Sequence, residues 1–123
     1  MILKSFEIKK IDQNINHLIL FYGKNEGLKN EAIKILIKDK NNILNYEEKE
    51  ILDNEDNFIE NVLSKSLFDP QKFVIIKRAT DKILKIIEAL HLKNLEDTTI
   101  ILNSENLEKK SKLRSFFEKN KNL

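Results

Sequence analysis

The chain has 123 residues, 41% apolar and 34% charged, with a formal net charge of +2. That balance fits one globular domain with its own core and excludes a disordered or fibrous chain. With no cysteine, disulfides, Cys-based zinc sites and thiol catalysis are excluded together.

The acids and bases are interspersed, without the basic surplus of a dedicated nucleic-acid binder. Nearly all the basic residues are Lys; only Arg78 and Arg114 are Arg. The abundance of Lys, Asn and Ile reads as a compositional bias without functional weight. The start, MILKSFEIKK, lacks the apolar run of a secretory signal. The longest apolar run, LILFY at 18–22, falls far short of the ~20 residues that span a bilayer. A soluble cytoplasmic protein is therefore expected. Two Gly and one Pro leave little room for linkers, so residues 1–123 are expected to form a single domain.

In chain order, LILFY (18–22) is the first predicted strand. It is followed by GKNEGLKNEAIKIL (23–36), a glycine-bearing turn and a helix with Leu28, Ala32, Ile35 and Leu36 as its stripe. A weaker run, Ile43-Leu44-Asn45-Tyr46, suits a short edge strand. Asp53 to Asp56 then supply a cap and favourable charge for a helix carrying Phe58, Ile59, Val62 and Leu63. FVII (73–76) is the next strand, and a third helix carries Ile83, Ile86, Ile87 and Leu90, with Thr80 or Asp81 as candidate cap. TIIL (99–102) is the last strand. A fourth helix follows with Leu113, Phe116 and Phe117, in a segment bearing Lys109, Lys110, Lys112, Arg114 and Lys119.

Short continuous apolar runs suit strands covered on both faces. The order β-α-β-α-β-α-β-α therefore predicts an α/β fold: a three-layer open sheet of mainly parallel strands flanked by helices. A fifth strand after the last helix would be natural, and its absence suits a fragment of something longer.

A strand, a glycine-bearing turn and a helix is where a phosphate-binding P-loop sits, and that loop needs G-x-x-x-x-G-K-[ST]. Here Gly27 comes four residues after Gly23 instead of five, Leu28 stands in the Lys slot and Lys29 in the hydroxyl slot. The strand that should end in a magnesium-binding acid ends in Lys77-Arg78, two cations that would repel the ion. The glycines are therefore expected to shape a turn only, with no nucleotide, cofactor or metal. His17 opens a strand and His91 closes a helix, with no metal spacing between them. The pairs Glu47-Glu48 and Glu55-Asp56 read as caps or solvated faces rather than as general acid–base pairs.

The stretch SKSLFDPQ (64–71) places Leu67 and Phe68 just before Asp69-Pro70, where proline ends any arriving helix. The residues alone leave two readings open. Both side chains could fold back to plug the end of the core. Alternatively, they could form an exposed apolar knob for a partner's pocket, where such anchors carry ~2–4 kcal/mol each.

The run SKSLFDPQKFVIIKRATD (64–81) resembles the central segment of the delta subunit of the bacterial DNA polymerase III clamp loader. That family shows a Leu-Phe or Phe-Phe pair, a basic residue, an apolar strand and a basic-Asn-Ala-Asp-like turn. Here these are Leu67-Phe68, Lys72, FVII and Lys77-Arg78-Ala79-Thr80-Asp81. LFYGKNEGLKNEAI (20–33) is similar to the family's opening strand, Tyr-Gly turn and helix. TIILNSENLEKKSKLRSFFEK (99–119) is similar to its strand, Leu-Asp-Lys-like loop and Ser-Lys-Leu helix.

The resemblance covers nearly the whole chain. It implies a P-loop or AAA+-like first domain without ATPase function, a non-catalytic part of a DNA-directed DNA polymerase (nucleotidyltransferase) holoenzyme. It implies that Leu67-Phe68 is a hydrophobic wedge that enters the ring-shaped beta sliding clamp during DNA replication, with Ser66, Asp69 and Pro70 as supporting contacts. The gamma/tau and delta prime subunits would be further partners, through lid and collar regions not expected here, and primed DNA would be met only indirectly. Asp69-Pro70 departs from the family's commoner Ser or Ala followed by a polar residue, and Pro70 would rigidify the presentation of Phe68. Two other classes compete: a divergent P-loop enzyme, and a nucleic-acid module using Lys109, Lys110, Lys112 and Arg114 on phosphates.

Overall fold

The structure, a computed structural model, describes residues 17–38, 40–64, 71–93 and 97–120, together with the backbone of residues 2–4. The elements are β1 (Ile2–Lys4), β2 (Leu18–Tyr22), α1 (Glu26–Ile37), β3 (Ile43–Glu47), α2 (Glu48–Asp53), α3 (Glu55–Leu63), β4 (Lys72–Lys77), α4 (Leu84–His91), β5 (Thr98–Asn103) and α5 (Lys112–Lys119). A 3₁₀ turn, Asp81–Ile83, leads into α4. The fold is α/β, with an all-parallel sheet flanked by helices.

The strands lie in the order β1-β2-β5-β4-β3. The apolar runs set the register: Leu18 lies beside Ile100, Val74 beside Ile100, and Ile43 beside Phe73. Every residue of β2 is buried, as continuous runs covered on both faces require. Strand β3 lies at an edge and is only half-buried, with Asn45 turned to solvent. Strand β1 pairs with β2 for three residues; a run so short carries no periodicity and is absent from the predicted elements.

Alternate side chains of each strand divide the core in two. Leu18, Leu20, Val74, Ile76, Ile100 and Leu102 pack with α2, α3, α4 and α5. Ile19, Phe21, Phe73, Ile75 and Ile101 pack with α1. Right-handed crossovers account for this division. The connection from β2 to β3 runs across the sheet in one direction, and those from β3 to β4 and β4 to β5 return.

The third predicted stripe is buried throughout: Ile83, Ile86, Ile87 and Leu90. The first is corrected in phase. Helix α1 buries Lys29, Ala32, Ile33 and Leu36, while Leu28 and Ile35 are 45% and 64% exposed. Asn25 starts the helix by accepting the Leu28 N–H at 3.0 Å. The apolar face so defined then contains a lysine, which a hydrophobicity pattern passes over.

The second stripe is half kept: Phe58 and Val62 are buried, whereas Leu63 is 38% exposed at the helix end. Its cap is Asn54, which accepts the Asn57 N–H at 3.3 Å. Of the two candidate caps before α4, Thr80 caps the 3₁₀ turn through the Lys82 N–H. Asp81 turns instead to α5. It accepts from the Ser111 hydroxyl at 2.6 Å and from the Leu113 and Lys112 N–H groups at 3.0 and 3.3 Å. Those bonds, Ser111 first, hold the Asp81 carboxyl below its ordinary range. Among the described residues, no helix is long and apolar enough to cross a membrane.

Candidate functional site

Because the sheet is all parallel, the C-terminal ends of its strands gather at one edge. They surround a cleft of about 410 Å³ lined by Glu26, Asn30, Glu47, Lys77, Arg78, Asn103 and Glu105. The lining comes from the ends of β3, β4 and β5 and the start of α1; strand C-terminal ends are the usual ligand position in open α/β sheets.

The phosphate-loop residues take these places. Gly23 has φ 135, a left-handed conformation that favours glycine, and turns the chain out of β2. Gly27 belongs to no turn, because α1 has already begun at Glu26. The expectation that both glycines shape a turn therefore holds for Gly23 and is corrected for Gly27. The helix starts one residue before Gly27, which therefore lies in its first turn.

Lys29 is fully buried. Its Nζ donates to Glu26 Oε1 at 2.6 Å and to the Ser104 carbonyl at 2.6 Å, tying α1 to the end of β5. Lysines are almost never fully buried without a partner, and the carboxylate supplies one.

On the other side of the cleft, Arg78 has φ 56, in the left-handed region that costs a side chain with a Cβ. Its guanidinium is exposed and lies 3.7 Å from Glu47 Oε2, a loose surface pair. Asn103, at the end of β5, is buried, and its Oδ1 has no hydrogen-bond partner.

Glu48 corrects an expectation. It is neither a cap nor a solvated acid, but a buried carboxylate. It accepts from the Thr80 N–H at 2.5 Å and the Thr80 hydroxyl at 2.7 Å, fastening α2 to the turn after β4. The cap of α2 is Glu47, which forms a capping box with Glu50. No local pattern marks Glu48, because its partner lies 32 positions away.

At the opposite edge, α3 ends at Leu63 and β4 begins at Lys72. The wedge candidates Leu67 and Phe68, with Ser66, Asp69 and Pro70, fall between these points and lie outside the described residues. Both flanks are described. Lys72 is 6% exposed, and its Nζ donates to the Asn61 and Ser64 carbonyls at 2.6 and 2.5 Å and to Ser64 Oγ at 3.2 Å. Burial pushes its ammonium below the ordinary lysine range.

The basic fourth helix is partly committed to the fold. Arg114 lies over the Tyr22 ring at 5.1 Å, and it donates to Glu118 at 2.7 Å and to the Leu107 carbonyl at 2.9 Å. Its bond to Glu118 holds its charge firmly, raising it above the ordinary arginine value. Lys109, Lys110 and Lys112 are exposed. His17 precedes β2 and His91 closes α4. Among the described residues, no cluster of three or more His, Asp or Glu is placed to hold a metal ion. No protein-family model matches the chain, and neither a curated protein nor a solved structure matches it.

Proposed function

We propose that the chain is the first, AAA+-like domain of a clamp-loader delta subunit, and that it binds and opens the ring-shaped sliding clamp of DNA replication through Leu67 and Phe68. Its work is binding. A wedge that prefers the open or strained ring drives opening by that difference in affinity. ATP hydrolysis belongs to partner subunits.

The observation that carries this reading is the strand-end cleft. Where a phosphate loop and its metal acid would stand, helix α1 begins early, Lys29 is already paired internally, and Lys77 and Arg78 are cations. A nucleotide scaffold without these parts suits an interaction role. The turn after β4 adds support. The family's turn has Asn where this chain has Arg78, and Asn is among the few residues that tolerate the left-handed backbone found there. In the sequence the proposed wedge falls between α3, which ends at Leu63, and β4, which begins at Lys72.

The test is equilibrium binding of the chain to a purified bacterial ring clamp, beside Leu67→Ala with Phe68→Ala. Saturable binding is expected, with at least ~100-fold loss in the double variant, since two interface anchors of this kind carry several kcal/mol. Absence of binding by the wild-type chain, or equal binding by the variant, overturns the reading.

A further inference from the structure

We infer that the strand-end cleft binds a small zwitterion of the α-amino-acid class, with its carboxylate on Arg78 and its ammonium on Asn103 and Glu105. The inference stands independently of the clamp reading proposed above.

The wall of the cleft holds a buried acceptor without a donor. Asn103 ends β5, is 7% exposed and lines the cleft, and its Oδ1 has no hydrogen-bond partner. Buried polar atoms are nearly always paired, so an orphan acceptor in a cleft wall marks a place for a donor from outside. Charges of opposite sign flank it. Lys77 lies beside Asn103 in the strand register, ~4.8 Å away across the ladder, and Arg78 follows. The Arg78 guanidinium is 79% exposed, and its pair with Glu47 is loose at 3.7 Å. Glu105 comes two residues after Asn103 and is exposed; among the described residues, no ion pair or hydrogen bond holds its carboxylate. Lys29 takes no part, because Glu26 and the Ser104 carbonyl already meet its charge.

The fold holds these groups in place. The Ala79 N–H donates to the Asn103 carbonyl at 3.1 Å and fixes the turn that carries Arg78. The Ser104 N–H donates to the Phe21 carbonyl at 2.8 Å, and the Gly23 N–H to the Glu105 carbonyl at 3.4 Å, fixing the chain that carries Glu105. A wall set before the ligand arrives loses little freedom on binding. The volume of about 410 Å³ suits a small molecule.

The signs of the walls select the guest. A lone anion meets Lys77 and Arg78 but also Glu47 and Glu105, and a lone cation meets the reverse. A molecule with both charges a few bonds apart matches both walls and adds no net charge. Its carboxylate takes paired N–H bonds from the Arg78 guanidinium. Its ammonium has three donors, and supplies the one that Asn103 Oδ1 lacks and another to Glu105.

The experiment titrates the chain with alanine and with its two halves, ethylamine and propionate, at neutral pH, and follows backbone amide shifts by NMR. Alanine should give saturable shifts centred on residues 77–79 and 103–105. Each half should bind at least ~10-fold more weakly, since it forfeits one charge-assisted contact. Arg78→Gly removes the guanidinium and suits the left-handed backbone at that position, so the fold is kept. Arg78→Gly and Glu105→Gln should each weaken alanine binding at least ~10-fold. Lys85→Gln, an exposed position on α4, should bind as wild type does.

Absence of saturable shifts with alanine overturns the inference. So does binding of ethylamine or propionate as tight as that of alanine, wild-type affinity in either cleft variant, or an equal loss in Lys85→Gln. No clamp enters the measurement, so its failure leaves the clamp reading standing, and failure of that reading leaves this one standing.

Discussion

Two buried lysines stand at opposite edges of the same sheet and are held in different ways. Lys29, at the strand C-termini, has a carboxylate partner in Glu26 and one carbonyl, that of Ser104. Lys72, at the strand N-termini, is held by the helix-end oxygens of α3. A lysine with its own counter-ion closes a site, because the charge is spent within the fold. A lysine held by helix-end carbonyls braces one particular junction, because those acceptors exist only at that helix end. At the edge that resembles a nucleotide site the buried lysine is thus paired within the fold, and at the other edge it ties the end of α3 to the start of β4.

Breaking the first of these should have the largest effect on stability. Lys29→Ala is expected to cost ~2–4 kcal/mol, from the cavity left by the stem and from a Ser104 carbonyl without its donor. Urea unfolding reads it directly, and Lys29→Met should cost less because the stem volume is kept. A loss below ~1 kcal/mol for the alanine variant would show that the buried ammonium is not integral to the fold.

Next in size is Glu48→Gln. It keeps one oxygen for the Thr80 N–H and sets an amide N–H₂ against the Thr80 hydroxyl in place of a charged acceptor, and ~1–2 kcal/mol should be lost. This sharpens the comparison by loosening α2 from the turn after β4 without touching either lysine.

Asp81→Asn should have a smaller effect, ~1 kcal/mol, through the cap of α5. Its sign with pH follows from the depressed carboxyl. The contribution is fully present above the unfolded value of ~3.9 and is lost as pH falls through the lower folded value. The stability gap between wild type and Asp81→Asn should therefore be constant near neutrality and narrow in acid. A gap that widens on acidification would contradict the capping role.

The layers of this molecule were legible where the chemistry is local. Continuous runs at 18–22, 73–76 and 99–102 can bury both faces only between helices, and they lie side by side in the sheet. Asn54, within the stretch 53–56 expected to supply a cap, caps α3, since a cap acts within three residues; Asn25, which caps α1, was not singled out. What escaped was set by distant partners or by brevity. Helix α2 offers only Ile51 and Leu52 as apolar residues in six positions, too few for a period. Lys29 and Glu48 are ordinary charged residues until the fold brings them to Ser104 and Thr80. Asp81 has two helix starts within reach, and only tertiary geometry selects α5. The departure of residues 23–29 from phosphate-loop spacing could be read from the sequence, whereas the internal pairing of Lys29 could not.

The central claim, that Leu67 and Phe68 serve a partner and not the chain's own core, is tested most directly by unfolding the Leu67→Ala, Phe68→Ala variant beside its clamp affinity. The account predicts a stability change well under the ~3–5 kcal/mol of a truncated core Phe, together with loss of clamp binding. A stability loss of that full size, with the residual folded fraction still binding the clamp, would contradict it.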